Sequence, residues 1–363
     1  VKFWLFTIAM FFNVSVQAAP NCEAWSLWET FAKSHIQNDG RVIDYGADGG
    51  STSEGQAYAL FFSLIANDKN RFNNIVKWTV NNLAKGDLSK QLPGWKWGKS
   101  SNGTWGVLDH NSASDADIWI AYSLLQAATR WKEKSYFDAG LAVLKNIAQQ
   151  EVVDLPGVGN MLLPAPFGFS EQSSWRLNPS YIPIQLMRYF AKVDNKGPWN
   201  EIGKNTYKMI SAASKNGLVP DWVIYKAKKG FYADPKQGRY TSYEAIRVYL
   251  WWAMLNKADP IFSLLRSHVT GVEQFAPDNM YLPERIDVQS GDEEGSAPVG
   301  FSAALAAYRY VVYGYRMTAR PQLQERTGYY DYVLSLFAFG WLDRRYDFNY
   351  DGSLLVGSQT CSQ

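Results

Sequence analysis

Histidine and cysteine are almost missing from this chain, with three His and two Cys in 363 residues. His35, His110 and His268 stand far apart, and no Cys/His string has the spacing of a zinc site. Nor is there a P-loop or a dinucleotide-binding glycine fingerprint. Neither a metal nor a cofactor is therefore expected. Charge of one sign is also lacking: 36 Lys and Arg face 34 Asp and Glu, a formal net charge of +2. No basic run is long enough to follow nucleic acid or an anionic lipid surface. Past the N-terminus, no apolar stretch approaches the ~20 residues that span a bilayer. Period-two alternation is scarce, which argues against a sheet architecture.

The first eighteen residues carry a targeting pattern. Lys2 supplies a positive start, Phe3 to Phe12 are almost wholly apolar, and Val16-Gln17-Ala18 is a small-x-small cleavage string. Cleavage after Ala18 and export to the periplasm or beyond are the expectation, leaving 19–363 as one domain of a size common for a closed barrel. The two cysteines, Cys22 and Cys361, fall at opposite ends of that domain. In an oxidising compartment they are a candidate disulfide tying the termini together, with two free thiols as the alternative. Asp347-Phe-Asn349-Tyr-Asp351-Gly352 begins like a calcium loop, but its twelfth position is Ser358 rather than Glu. It reads as the turn of a short C-terminal hairpin.

Aromatic residues are abundant: 15 Trp, 22 Tyr and 19 Phe. Several lie in polar, glycine-containing stretches, among them Trp95, Trp97, Trp105, Trp175 and Tyr232. Flat rings in wet loops suit the faces of pyranose sugars; the plainer account is that they fill space where their polar atoms find partners.

Apolar residues recur at three- and four-residue spacing in segment after segment. Start and stop signals place helices near Glu23, Ser53, Lys69, Ser114, Lys134, Pro179, Asn200, Ser242, Pro260, Pro298, Pro321 and Tyr329. Short joins within pairs alternate with long joins at 85–112, 152–178, 216–240 and 271–297. Short joins make antiparallel helix hairpins, and long loops gathered at one end usually carry function. Glu54 and Asp115 are 61 residues apart, Asp115 and Tyr181 66, Tyr181 and Glu244 63. The fold expected is all-α: a single (α/α)6 barrel, with long loops at the active-site end and a short C-terminal hairpin. Helices starting near Ser53, Ser114, Pro179, Ser242 and Pro298 would form the inner ring, with their N-termini together.

Glu54, Asp115 and Glu244 each stand fourth in a Ser/Thr-x-x-acid string: Ser51-Thr52-Ser53-Glu54, Ser112-Ala113-Ser114-Asp115 and Thr241-Ser242-Tyr243-Glu244. Such strings are capping boxes when the acid bonds back to its own N-cap. Gathered at one barrel end, the same carboxylates would instead serve glycoside hydrolysis, which needs one carboxylic acid at the leaving oxygen and a second carboxylate across the sugar. Asp117, about 200° around the helix from Asp115, cannot face the same way. Asp115 is the better candidate for the mouth.

The string Ala113-Ser-Asp115-Ala-Asp117-Ile-Trp-Ile120-Ala121 through Ala127 to Trp131 resembles the signature of glycoside hydrolase family 8. Thr52-Ser-Glu54-Gly-Gln56, Ser174-Trp-Arg176-Leu-Asn178-Pro-Ser-Tyr181 and Tyr243-Glu-Ala-Ile-Arg247 resemble other parts of it. Gly40-Arg-Val-Ile-Asp44, Met161-Leu-Leu-Pro164 and Pro298-Val-Gly-Phe-Ser302 look like the branch of periplasmic endo-β-1,4-glucanases that accompany bacterial cellulose synthase, as do the terminal cysteines. The resemblance implies an (α/α)6 barrel, an inverting mechanism, β-1,4-glucan chains as substrate, and a cellulose synthase complex as an expected partner. It implies Glu54 as general acid, Glu244 as general base, and Asp115 holding the distorted sugar. Tyr181, Tyr243 and Arg247 would contact substrate or the base, and Trp97, Trp105 and Trp175 are candidate sugar platforms. Where the family pattern has Asp, this chain has Glu244, one methylene longer. The alternatives left open are a related glycosidase acting on xylan or chitosan, and a glucan-binding subunit with little hydrolysis.

Overall fold

The computed structural model describes residues 24–275, 282–317, 319–324 and 327–357. The targeting segment and both cysteines lie outside the described residues. Eleven α-helices form among the described residues: α1 (Ser26–His35), α2 (Ser53–Ile65), α3 (Lys69–Leu83), α4 (Ser114–Trp131), α5 (Lys134–Gln150), α6 (Ile184–Val193), α7 (Trp199–Ala213), α8 (Ile246–Met254), α9 (Pro260–Arg266), α10 (Val299–Tyr313) and α11 (Tyr329–Leu342).

Burial sorts them into two rings. Every residue of α2 except Glu54 is buried, and so is the whole of α8. Helices α4, α6, α10 and α11 are buried along most of their length. By contrast α1, α3, α5, α7 and α9 bury only part of their surface, as expected of an outer layer exposed to solvent on one side. The result is the (α/α)6 barrel that the spacing predicts, with one departure. No helix forms at Pro321; residues 319–324 are irregular. Helices α10 and α11 are therefore both inner and run side by side with their N-termini together: the Gly300 N–H donates to Asp331 Oδ1 at 2.6 Å. A Cβ at Gly300 would come within 2.8 Å of the Asp331 backbone, so glycine permits this close approach.

The barrel axis is filled with rings. Phe62 and Phe337 have centroids 4.6 Å apart, Phe61 and Trp119 4.8 Å, Trp251 and Phe337 4.9 Å, drawing on α2, α4, α8 and α11. These edge-on pairs form a solid floor beneath the inner N-termini. At the opposite end, strands β13 (Tyr346–Phe348) and β14 (Leu354–Val356) make the expected C-terminal hairpin. Its turn seats against α6: Gly352 has φ +75°, and a Cβ there would run into the Gln185 carbonyl oxygen. Asp351 in that turn pairs with Lys192 at 2.6 Å.

The long joins are not structureless; they fold into small antiparallel sheets. β1 (Ser51–Thr52), β2 (Lys96–Lys99) and β3 (Trp105–Asp109) form one; β4 (Val152–Leu155) pairs β5 (Gly159–Leu162). β6 (Ser170–Glu171), β7 (Ser174–Leu177), β8 (Val223–Lys226) and β9 (Gly230–Ala233) form a four-stranded sheet. β10 (Tyr240–Thr241), β11 (Arg285–Asp287) and β12 (Glu293–Glu294) complete the set. No helix among the described residues is long and apolar enough to cross a membrane.

Candidate active site

Three carboxylates, two from the inner helices α2 and α4 and one from the turn that leads into α8, meet on one guanidinium. Arg247 Nη1 donates to Glu54 Oε2 at 2.9 Å and to Asp115 Oδ2 at 3.1 Å, while Nη2 donates to Glu244 Oε2. Arg247 sits in the first turn of α8, three residues after Glu244, a spacing that brings both side chains to one face. The arginine and Asp115 are each 3% exposed, Glu54 20% and Glu244 26%. Solvent thus reaches the two glutamates, while Arg247 and Asp115 lie buried beneath them.

None of the three acids is spent on a capping box. The N-cap of α2 is Thr52, whose hydroxyl accepts from Gly55 N at 3.0 Å, so Glu54 is free to point inward. Ala113 precedes α4 with no side-chain cap, and Ser112 Oγ instead donates to Glu151. Thr241 Oγ1 donates to the Val219 carbonyl oxygen. The start of the Glu244 turn is capped from elsewhere by Asp221, whose Oδ1 accepts from Ser242 N at 2.9 Å and Ala245 N at 2.8 Å. Burial pushes the Asp221 carboxyl up to about 6, against the pull of those hydrogen bonds.

Tyrosines close the ring around this cluster. Tyr58 Oη receives a third bond from Arg247 Nη1 at 3.0 Å, and Tyr329 Oη donates to Glu54 Oε1. Tyr330 Oη donates to the Tyr243 carbonyl oxygen, tying α11 to the Glu244 segment. The Arg247 guanidinium lies 5.6 Å from the Tyr181 ring centre and 6.0 Å from that of Tyr330. Tyr181 ends a 3-10 turn at Pro179–Tyr181, and α6 starts only at Ile184, later than the sequence suggests. Ser180 in that turn donates to Asn178 Oδ1 at 2.8 Å and lies 3.3 Å from Glu244 Oε2; its carbonyl accepts from Trp251 at 2.9 Å.

Electrostatics divide the acids. Burial, then the charge of Glu54, pushes the Asp115 carboxyl well above the usual carboxylate range, and Arg247 opposes this. Asp115 therefore holds a proton more firmly than an ordinary aspartate. Burial also raises Tyr58, Tyr181, Tyr329 and Tyr330, which stay phenols and can donate. Burial works against the Arg247 charge, but Tyr58 and Glu244 beside it more than offset that.

The candidate sugar platforms lie apart from this cluster. Trp97 and Trp105 stack on each other at 5.0 Å, and the Arg41 guanidinium sits 4.3 Å and 4.9 Å from their ring centres. Trp97, on β2, pairs with Ser51 of β1, just before Glu54, which puts this stack beside the strand that leads into α2. Trp175 packs against Tyr225, 5.9 Å away. None of the three has a ring contact with a member of the cluster. Trp222 does: it stands tilted against Tyr181 at 6.1 Å, with Phe169 stacked on it at 5.9 Å and Arg176 3.9 Å from its ring centre. Tyr243, 41% exposed, faces Phe301 at 5.2 Å.

Comparison with known proteins decides the family. The model of "Glycosyl hydrolases family 8" matches residues 3–344. The chain belongs to this family. An endoglucanase of Salmonella typhi is 44% identical over 356 residues, covering 97% of this chain and 95% of that protein. One of Escherichia coli (strain K12) is 43% identical, covering 96% and 95%. The crystal structure of an endo-1,4-D-glucanase from Vibrio fischeri ES114 aligns with a TM-score of 0.84 and 38% identity, over 92% of this chain and 99% of that one. This family 8 chain is thus a glycoside hydrolase, and the family's (α/α)6 barrel is the fold described above.

Sequence reasoning brought Glu54, Asp115, Tyr181, Tyr243, Glu244 and Arg247 to this pocket. It missed Tyr58, Ser180, Asp221, Trp222, Tyr329 and Tyr330. The adjacent pair Tyr329-Tyr330 at the start of a largely apolar helix was a usable signal, obscured by the expectation of a further helix at Pro321.

Proposed function

We propose that this protein is an endo-β-1,4-glucanase that cleaves cellulose-like chains with inversion, exported and linked to cellulose synthesis or export. The observation that carries the reading is the convergence of Glu54, Asp115 and Glu244 on Arg247 at the open end of the barrel. In this reading Glu54 protonates the leaving oxygen and Glu244 takes a proton from the attacking water, the two-carboxylate chemistry of inverting glycosidases. Asp115, protonated and fixed at the pocket base, holds hydroxyl groups of the sugar bound between them. Tyr329 and Arg247 fix the two oxygens of Glu54. The more exposed Glu244 faces the side from which water enters.

The substrate assignment is supported by the activities for which the relatives are named, endoglucanase and endo-1,4-D-glucanase. The link to cellulose synthesis rests on the sequence strings at 40–44, 161–164 and 298–302. Gln56, in the string after Glu54, ties one of these strings to the barrel. Its amide donates to the Gly40 carbonyl at 3.1 Å and its oxygen accepts from Val42 N at 2.6 Å, which anchors the 40–44 segment beside α2. The test is reducing-end release from carboxymethylcellulose, xylan and chitosan by wild type and Glu54→Gln. Release from carboxymethylcellulose by wild type, cut at least about 1,000-fold in Glu54→Gln, supports the reading. Binding of oligosaccharides without release by wild type would make the protein a glucan-binding subunit instead.

A further inference from the structure

Two acids outside the cluster remain unexplained by the mechanism. Asp117, two residues after Asp115 on α4, is fully buried, and no N–H or O–H among the described residues donates to either of its carboxylate oxygens within hydrogen-bond geometry. What faces it is another buried carboxyl, that of Glu151 at the C-terminal end of α5. Glu151 Oε1 accepts from Ser112 Oγ at 2.6 Å, and its Oε2 has no donor of its own. The Ser112 hydroxyl, on the segment entering α4, also acts on Asp117, favouring its charged form. The Asp115 charge acts on Asp117 from the same turn of α4, α5 contributes Glu151 itself, and no Lys, Arg or His among the described residues forms an ion pair with either acid.

Two carboxylates in contact, buried and without a cation, cannot both be ionised; a proton between them turns two orphaned acceptors into a hydrogen bond. That bond would link the first turn of α4, the end of α5 and, through Ser112, the segment leading to Asp115. We propose that Asp117 and Glu151 are a proton-sharing pair that positions Asp115, and that loss of the shared proton sets the alkaline limit of catalysis. Burial holds Glu151 up to about 8 and Asp117 well above the ordinary range, consistent with a proton retained at neutral pH. Above that region the pair carries two negative charges against each other and against Asp115, and the link opens. The role in catalysis rests on the glycosidase reading; the shared proton itself does not.

The test compares wild type, Asp117→Asn, Glu151→Gln and Asp117→Ala. For wild type, kcat on carboxymethylcellulose should fall as pH rises through about 8, with KM nearly constant. Glu151→Gln is neutral at every pH and offers an N–H to Asp117, so it should keep wild-type kcat on the acid side and move the alkaline limb up by about one pH unit or more. Asp117→Ala should lower kcat at all pH values, with Asp117→Asn restoring it. A second readout needs no substrate. The native pair retains a proton that an unfolded glutamate, ordinarily 4.5, has lost, so wild-type melting temperature should decline between 4.5 and about 8. In Glu151→Gln that decline should flatten. An unchanged alkaline limb in Glu151→Gln overturns the positioning role, and an unchanged melting slope overturns the shared proton. Failure of both amide variants to fold at acid pH would also overturn the pair, since neutral isosteres should fit it. If wild type cleaves no glucan, the glucanase reading fails while the melting slopes still decide the pair.

Discussion

Glu244→Asp puts the reach of the proposed general base to the test. In the structure the Glu244 carboxylate contacts Arg247 Nη2 and lies 3.3 Å from Ser180 Oγ. Removing one methylene retracts the carboxylate by about 1.5 Å, which carries it beyond hydrogen-bond distance of Ser180. The guanidinium cannot follow, because its Nη1 is held at 2.9 Å by Glu54, 3.0 Å by Tyr58 and 3.1 Å by Asp115. The Glu244 turn cannot follow either, because Asp221 holds the Ser242 and Ala245 N–H groups. A displacement of ~1 Å in a reacting group costs on the order of 100-fold, or about 2.7 kcal/mol in the barrier. The expected outcome is a fall in kcat on carboxymethylcellulose of about 10- to 100-fold, with KM and melting temperature little changed. A variant as active as wild type, or more active, would refute the claim that this pocket is built around the longer side chain.

Arg247→Met leaves three carboxylates converging without a cation. Removing one partner of a buried ion pair costs roughly 3–5 kcal/mol, so we expect a clearly lowered denaturation midpoint together with near-complete loss of activity. Tyr329→Phe removes the donor to Glu54 Oε1; a hydrogen bond to the charge that develops on Glu54 as it gives up its proton contributes ~1.5–3 kcal/mol, so kcat should drop about 10-fold or more in single-turnover kinetics, with glucan affinity retained. Gly352→Ala drives a methyl into the Gln185 carbonyl at φ +75° and should destabilise by more than ~1 kcal/mol in urea unfolding, while leaving the pocket's chemistry unchanged at temperatures where the variant is folded.

The helices were legible because an inner helix of a barrel reads as a nearly continuous apolar segment, and an outer one as a stripe at helical spacing. The common end of Glu54, Asp115, Tyr181 and Glu244 was legible because the chain returns to it every sixty-odd residues. Local motif could not say whether an acid caps its own helix. That was decided by tertiary partners: Arg247 draws in all three acids, while Asp221 and Glu151, distant in sequence, take the hydrogen bonds that a capping box would have used. Tyr329 and Tyr330 were hidden for a different reason. The last inner helix lacks an outer partner before it, so the alternation of short and long joins did not place it in the inner ring. The tryptophan platforms show the limit of composition: Trp97 and Trp105 satisfy each other and Arg41, whereas Trp222, unremarked in the sequence, stands next to Tyr181.

The most direct test of the central claim is the anomeric configuration of the first product from a soluble β-1,4-linked glucan oligosaccharide, followed by proton NMR before mutarotation. Glu54 as acid and Glu244 as base, with water between, predict that the α-anomer appears first and then relaxes toward equilibrium. Initial release of the β-anomer would contradict the account, requiring one of these carboxylates to act as a nucleophile.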